Sequence, residues 1–155
     1  MPKAGVGLVV DRLSKALPNA TIVYALHDVD IPEGYVVEIW GAEIAVNGLL
    51  DTGGHVMYFC TTDDDQLAFT DMQGSDDVFF CGEMETLLVT TGGAMILGVD
   101  RVMFPQHPVV TARDQIMWAI YSATNWSAAT ASLAIFYRYR KATAQDITEL
   151  LLRRR

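Results

Sequence analysis

The middle of this chain has almost no positive charge. Between residues 21 and 136, Arg101 and Arg113 stand alone against sixteen Asp and Glu, a net −14, while the whole chain carries −8 because its basic residues gather at the two ends. An acidic body of this kind excludes a dedicated nucleic-acid-binding surface on it. Cysteine is scarce too. Cys60 and Cys81 lie in apolar, strand-like runs and read as buried free thiols. Two Cys and three His cannot form a structural zinc site without carboxylate help. Apolar runs are short and broken by Asp, Glu or Gly, so no transmembrane helix fits. The start, Met1-Pro2-Lys3-Ala4-Gly5, has no long apolar run behind it, and no secretory signal is expected.

The hydrophobic share is 51% against 19% charged. That composition excludes disorder and leaves more apolar surface than a solitary domain needs. At 155 residues the chain is expected to be one domain, residues 1–155. Its parts are an N-terminal segment (1–20), a sandwich (21–141) and a C-terminal helix with a basic tail (143–155).

Within 1–20, Val9, Val10, Leu13 and Leu17 fit a helical stripe that Pro18-Asn19 would end. Thr21 to Leu26 is the first clear strand, β-branched and aromatic. Ile31-Pro32-Glu33-Gly34 is a turn. Tyr35 to Val46 is a long strand, with Glu38 breaking its alternation. Apolar residues on both of its faces near Trp40, followed by Gly41, predict a bulge or a strand covered on both sides. Asn47-Gly48 and Asp51-Thr52-Gly53-Gly54 signal turns. Further strand-like runs are His55–Cys60, Val78–Cys81, Thr86–Thr90, Ala94–Leu97 and Gln115–Tyr121, with an Asp-rich loop over 61–77. Trp126 falls in a polar loop before the last strand. About eight strands with turn signals between them and short helices at the ends predict an all-β, single jelly-roll sandwich.

The last 24 residues carry the sharpest pattern. Ser132 to Lys141 reads as a strand with Leu133, Ile135, Tyr137 and Tyr139 facing the core. Arg138 and Arg140 project outward or against a partner. Thr143 resembles an N-cap with Asp146 at the third helical position. Ile147, Leu150 and Leu151 give the helix that follows an apolar face, and Arg153, Arg154 and Arg155 sit where its dipole favours cations. A helix this short needs an apolar surface to lean on. The expected subunit contacts are Trp126, Arg138, Arg140, Ile147, Leu150, Leu151 and the three terminal arginines.

Catalytic patterns are missing. No His-x-His spacing supports a cupin-type metal site for His27, His55 or His107. The Asp63-Asp64-Asp65 cluster, with Asp71, Asp76 and Asp77, lacks the Asp-x-Asp-x-Asp-Gly spacing of a calcium loop and reads as solvated charge. Glu83 and Glu85 share a strand face but are too ordinary a pair to mark a hydrolase. There is no nucleophile elbow, phosphate-binding loop or dinucleotide fingerprint. Tyr35, Trp40, Trp118 and Trp126 could line a sugar-binding face, though aromatics in a sandwich more often serve core or interface. The chain is expected not to be an enzyme and to hold no cofactor, metal or small-molecule substrate.

In layout the chain resembles a single jelly-roll capsid protein of an icosahedral virus. Carrying the resemblance are the turn Ile31-Pro32-Glu33-Gly34-Tyr35 into a long strand, Phe104-Pro105 before a late strand pair, and Ile135-Phe136-Tyr137-Arg138-Tyr139-Arg140-Lys141 feeding a short helix. The nearest likeness is to the small major capsid proteins of tailless, membrane-containing viruses of bacteria and archaea. The resemblance implies a structural virion protein, made in the host cytoplasm, that self-assembles with copies of itself and other capsid proteins. Only Lys3, Arg12 and Lys15 stand in for the long basic arm of many capsid proteins. Any contact with an internal membrane or genome would run through the basic termini. The alternatives are a carbohydrate- or receptor-binding sandwich module, as on a spike, and a cupin-like metal enzyme.

Overall fold

A computed structural model describes residues 7–50, 54–62, 77–86, 94–122 and 126–153, with backbone alone at 49–50, 54, 86, 94–97, 126–128 and 153. Among these described residues nine strands and one helix follow in order. They are β1 (Val9–Ala16), β2 (Ile22–Asp28), β3 (Tyr35–Leu50), β4 (Gly54–Thr61), β5 (Val78–Thr86), β6 (Ala94–Met103), β7 (Val109–Thr111), β8 (Gln115–Ser122), β9 (Trp126–Lys141) and α1 (Ala144–Arg153).

The strands form two antiparallel sheets. The first runs β1-β9-β3-β6, with β7 beside β3; the second runs β2-β8-β4-β5. Successive strands cross between sheets except at β4–β5, a pair within the second sheet, and β6–β7, both in the first, and the last strand returns to lie between the first and third. This is the order of two Greek keys wrapped into a jelly roll. The chain is an all-β sandwich with one short C-terminal helix.

Period-two alternation builds the core. From the first sheet, Val37, Ile39, Ile44, Leu133 and Ile135 point inward; from the second, Ala25, Val56, Ile116, Trp118 and Ile120 meet them, all at most 1% exposed. Each large aliphatic or aromatic side chain so buried contributes roughly 1.5–3 kcal/mol. The alternation of β3 slips once. Ile39 pairs with Tyr137 but Gly41 pairs with Phe136, so Trp40 is an extra residue in a β-bulge. Before the bulge the odd residues Val37 and Ile39 face the core; after it the even residues Ala42, Ile44 and Val46 do. The doubled apolar character around Trp40 is the sequence trace of this shift. The neighbouring Gly41 is required by close approach: a side chain there would meet the Met103 sulfur and the Val102 carbonyl.

Polar side chains tie one sheet to the other. The Tyr58 hydroxyl on β4 donates to Asp100 on β6. Gly82 leaves the space for that pair, since a Cβ at 82 would strike the Tyr58 ring. Burial and the Asp100 carboxylate both push the Tyr58 phenol far above its ordinary range. The Tyr139 hydroxyl donates to the Val29 carbonyl.

Several expectations change. The helical stripe of the N-terminal segment is strand β1, paired with β9 from Val9↔Tyr137 to Ala16↔Thr130. Val9, Val10, Leu13 and Leu17 satisfy a helix period, but the open edge of β9 rewards a strand. Among the described residues the short helices expected at both ends therefore reduce to one, at the C terminus, and Val9–Ala16 belongs to the first sheet. Asn47-Gly48 is not a turn, because β3 runs on to Leu50 in register with β6 and β9. β9 begins at Trp126, not Ser132, so Trp126 is a strand residue opposite Leu50. Cys60 is buried as expected, whereas Cys81 is exposed. Of the strand-like run Thr86–Thr90, Thr86 closes β5 and 87–90 lie outside the described residues, as does the Asp63–Asp76 cluster.

Candidate functional site

Of the residues singled out at the C terminus, Arg138 and Arg140 converge on one carboxylate, that of Glu38. Arg138 and Arg140 stand two apart on β9 and share its outward face. The register sets Glu38 of β3 opposite Arg138. The Glu38 carboxylate takes one guanidinium on each oxygen: Arg138 Nε at Oε2 and Arg140 Nε at Oε1, the latter 2.6 Å away. The Glu38 side chain is only 8% exposed. Burial pushes its carboxyl up, and the two arginines outweigh that and hold it below its ordinary value. Arg138 also stacks over the Trp40 ring at 4.7 Å, a cation–π contact. The Glu38 that interrupted the apolar alternation is therefore the anchor of this face.

Arg140 passes the contact on to the helix. Its two terminal nitrogens reach the two Asp146 oxygens at 2.8 Å each, a bidentate charge-assisted pair. Asp146 also accepts from the Thr143 backbone N–H at 2.6 Å and the Thr143 hydroxyl at 2.7 Å, while the Asp146 N–H points back to that hydroxyl at 3.3 Å. This is the reciprocal cap read from the sequence, with Asp in the Glu/Gln role. Arg140 and then Thr143 hold the Asp146 carboxyl well below the usual carboxylate range. The chain Glu38–Arg140–Asp146 pins the first turn of α1 to the outer face of the first sheet.

The apolar face of α1 is not absorbed by the domain. Ile147 is 54% exposed, Leu151 59% and Leu152 63%. Ile147, Leu150 and Leu151 line one wall of a cavity of about 200 Å3. Val110 and Thr111 of β7, with Ala112 and Arg113 beyond it, line the facing wall. The helix is thus fixed by ion pairs and left open on its greasy side. Of the other expected contacts, the Trp126 and Arg153 side chains and all of Arg154 and Arg155 lie outside the described residues.

The remaining polar candidates are scattered. His27 is buried, with Nδ1 2.9 Å from Asp11 Oδ2 on β1. Burial pushes its imidazole down, against the upward pull of Asp11 and Asp28. His55 lies 3.6 Å from Glu83 on the outer face of the second sheet. His107 is exposed in the loop after β6. Among the described residues, no three His, Cys, Asp or Glu side chains gather as a metal site would need. The aromatic set divides as well. Trp118 is wholly buried in the core. Tyr35 and Trp40 line an open groove of about 590 Å3 with Arg138, Arg140 and Lys141. No helix among the described residues is long and apolar enough to cross a membrane.

Sequence reasoning missed a second ionic row on the same face. Glu43 of β3 pairs with Arg101 of β6, its Nε 2.6 Å away, and with Arg12 of β1 at 3.5 Å. Reading 9–16 as strand alternation, with Val9, Asp11 and Leu13 inward and Val10, Arg12 and Ser14 outward, would have placed Arg12 outside. Its partner across β9 is a long-range pairing with no local signal. Comparison of the chain with protein families and with curated proteins returns no match.

Proposed function

We propose that this chain is a structural virion protein, a single jelly-roll subunit that assembles with copies of itself into an icosahedral shell. The observation that carries the reading is the state of α1. An amphipathic helix of ten residues is marginal alone in water, yet it is held at its first turn by Arg140 while Ile147, Leu151 and Leu152 stay in solvent. Such a face is completed when another subunit covers it, and the jelly-roll order of the sheets is an architecture that capsid subunits share with lectin domains and cupins. The basic tail, Arg153 to Arg155, would then meet the acidic body of a neighbour. Single exposed pairs contribute only about 0–1 kcal/mol, but a shell repeats them at every interface.

Truncation after Ala142 tests the reading. Concentrated full-length protein is expected to form large regular particles by electron microscopy. The truncated chain is expected to stay small in size-exclusion chromatography and to keep its β-sheet circular dichroism. If the truncated chain unfolds, α1 belongs to its own core and the reading loses its support.

A further inference from the structure

The outer face of the first sheet has a layered chemistry of its own. Across the strands runs the row Arg12–Ala134–Glu43–Arg101. Beside it runs Val10–Phe136–Gly41–Met103. The carboxylates lie beneath the arginines. Glu43 is 12% exposed under Arg12 at 61% and Arg101 at 55%, and Glu38 is 8% exposed under Arg138 at 48%. A partner approaching this face therefore meets guanidinium groups first. Between the Arg12–Arg101 row and Arg138 stand Val10 and Met103, and on the far side of that row stands Val99, all exposed. Arg101 lies over the Phe136 ring at 5.6 Å. Arginine, methionine and aromatic rings are the residues that interface centres favour, and a patch of this kind on a free surface calls for a cover.

The back of the molecule offers the complement. On the second sheet the outward row is Ile22–Tyr121–Met57–Glu83, with His55 opposite Glu85 beside it. Glu83 and Glu85 are both exposed. It too is an apolar row flanked by charge, but of the opposite sign.

We infer that the outer face of the first sheet docks on the Glu83–Glu85 end of the second sheet of another copy of this chain. The inference rests on the shell reading above and names the two faces that meet. Front-to-back contact is heterologous, so it propagates from copy to copy and closes when the rotation allows, as a shell requires. Opposite charge on the two faces selects this orientation over front-to-front, where guanidinium would meet guanidinium. An anionic bilayer would also attract cations. Here, however, each arginine pair is already half neutralised by its own carboxylate, which suits discrete glutamates better than a continuous lipid surface.

The test uses full-length protein and a charge swap. Arg12→Glu leaves the Glu43–Arg101 pair in place, and Glu83→Arg changes an exposed residue, so both variants should fold; thermal melts check this. Val99→Asp probes the same face without touching an ion pair. Sedimentation velocity is expected to show each single variant raising the concentration needed for assembly by about tenfold. Arg12→Glu and Glu83→Arg together should return it to within about threefold of the unaltered chain. Assembly that ignores all three single changes, or a double variant no better than its worse parent, overturns the pairing and leaves the shell reading standing. An unaltered chain that stays monomeric at high concentration overturns the shell reading and this inference with it. Flotation with phosphatidylglycerol vesicles supplies a last arm. Binding lost in Arg12→Glu while assembly is intact would assign the face to lipid and overturn the inference.

Discussion

Two polar clusters sit at the boundaries of this sandwich and solve opposite problems. Glu38, Arg138, Arg140 and Asp146 lie on the outer face of the first sheet, where burial of the carboxylates is offset by guanidinium on each oxygen. Asp11 and His27 join the two sheets, one from β1 and the other from β2, and the imidazole is wholly buried with a single carboxylate beside it. In the first cluster every acid is kept charged. In the second, burial outweighs the acid and keeps the base neutral. Hydrogen bonding decides the outcome: a guanidinium on each Glu38 oxygen overcomes desolvation, whereas one hydrogen-bonded carboxylate at His27, with Asp28 acting without a hydrogen bond, does not.

Removing the anchor should have the largest effect. Glu38→Ala leaves Arg138 and Arg140 without the acceptor between them and opens the outer sheet beneath α1. A loss of about 2–3 kcal/mol is expected from charged hydrogen bonds of this kind, measured by urea unfolding. Asp11→Asn on the other cluster should cost about 1 kcal/mol. Equal losses would mean that the two clusters are not distinguished by hydrogen bonding.

Acid should separate them next. The folded state disfavours a proton on His27 that the unfolded chain accepts near the ordinary imidazole value of about 6.5. The contribution is therefore complete above that pH and falls as pH drops below it, by up to about 1.4 kcal/mol per pH unit. Asp146 behaves differently. Its folded value is depressed, so its contribution is complete above the ordinary carboxylate range near about 4 and lost only as pH falls further. Unfolding curves from pH 7.5 to 5 should thus weaken in the parent and flatten in His27→Leu. A parent whose stability is level over that interval would remove the buried-neutral assignment.

The smallest effect is local to the helix. Thr143→Ala deletes a cap worth about 1 kcal/mol while Arg140 still holds Asp146. Helical circular dichroism should fall with little change in sheet signal. If global stability falls with it, α1 is coupled to the core more tightly than its exposed face indicates.

Much of this molecule was legible from local pattern. The phase of β9 was readable because Leu133, Ile135, Tyr137 and Tyr139 alternate with Ala134, Phe136, Arg138 and Arg140, two of them charged, and all four of the first set are buried. The Thr143–Asp146 cap was readable because a cap is a contact between residues three apart. The bulge at Trp40 showed as apolar residues on two faces. By contrast, β1 passed for a helix, because eight residues can satisfy both periods until an open strand edge is presented. Glu38 looked like a break in alternation; its meaning lies in Arg140, 102 residues away. His27, for which the sequence showed no metal-site spacing, proved to be buried with Asp11 of β1 against it.

The sequence by itself determined the alternation of β9, the turn at Ile31–Gly34 and that the C-terminal helix has one apolar face, since these are properties of neighbours along the backbone. Tertiary structure alone decided the order β1-β9-β3-β6 opposite β2-β8-β4-β5, the layering of carboxylates under arginines on the outer face, and the exposure of α1. Each of these depends on residues distant in the chain meeting across strands, and no local energy term encodes which distant partner a strand edge or a charge will find.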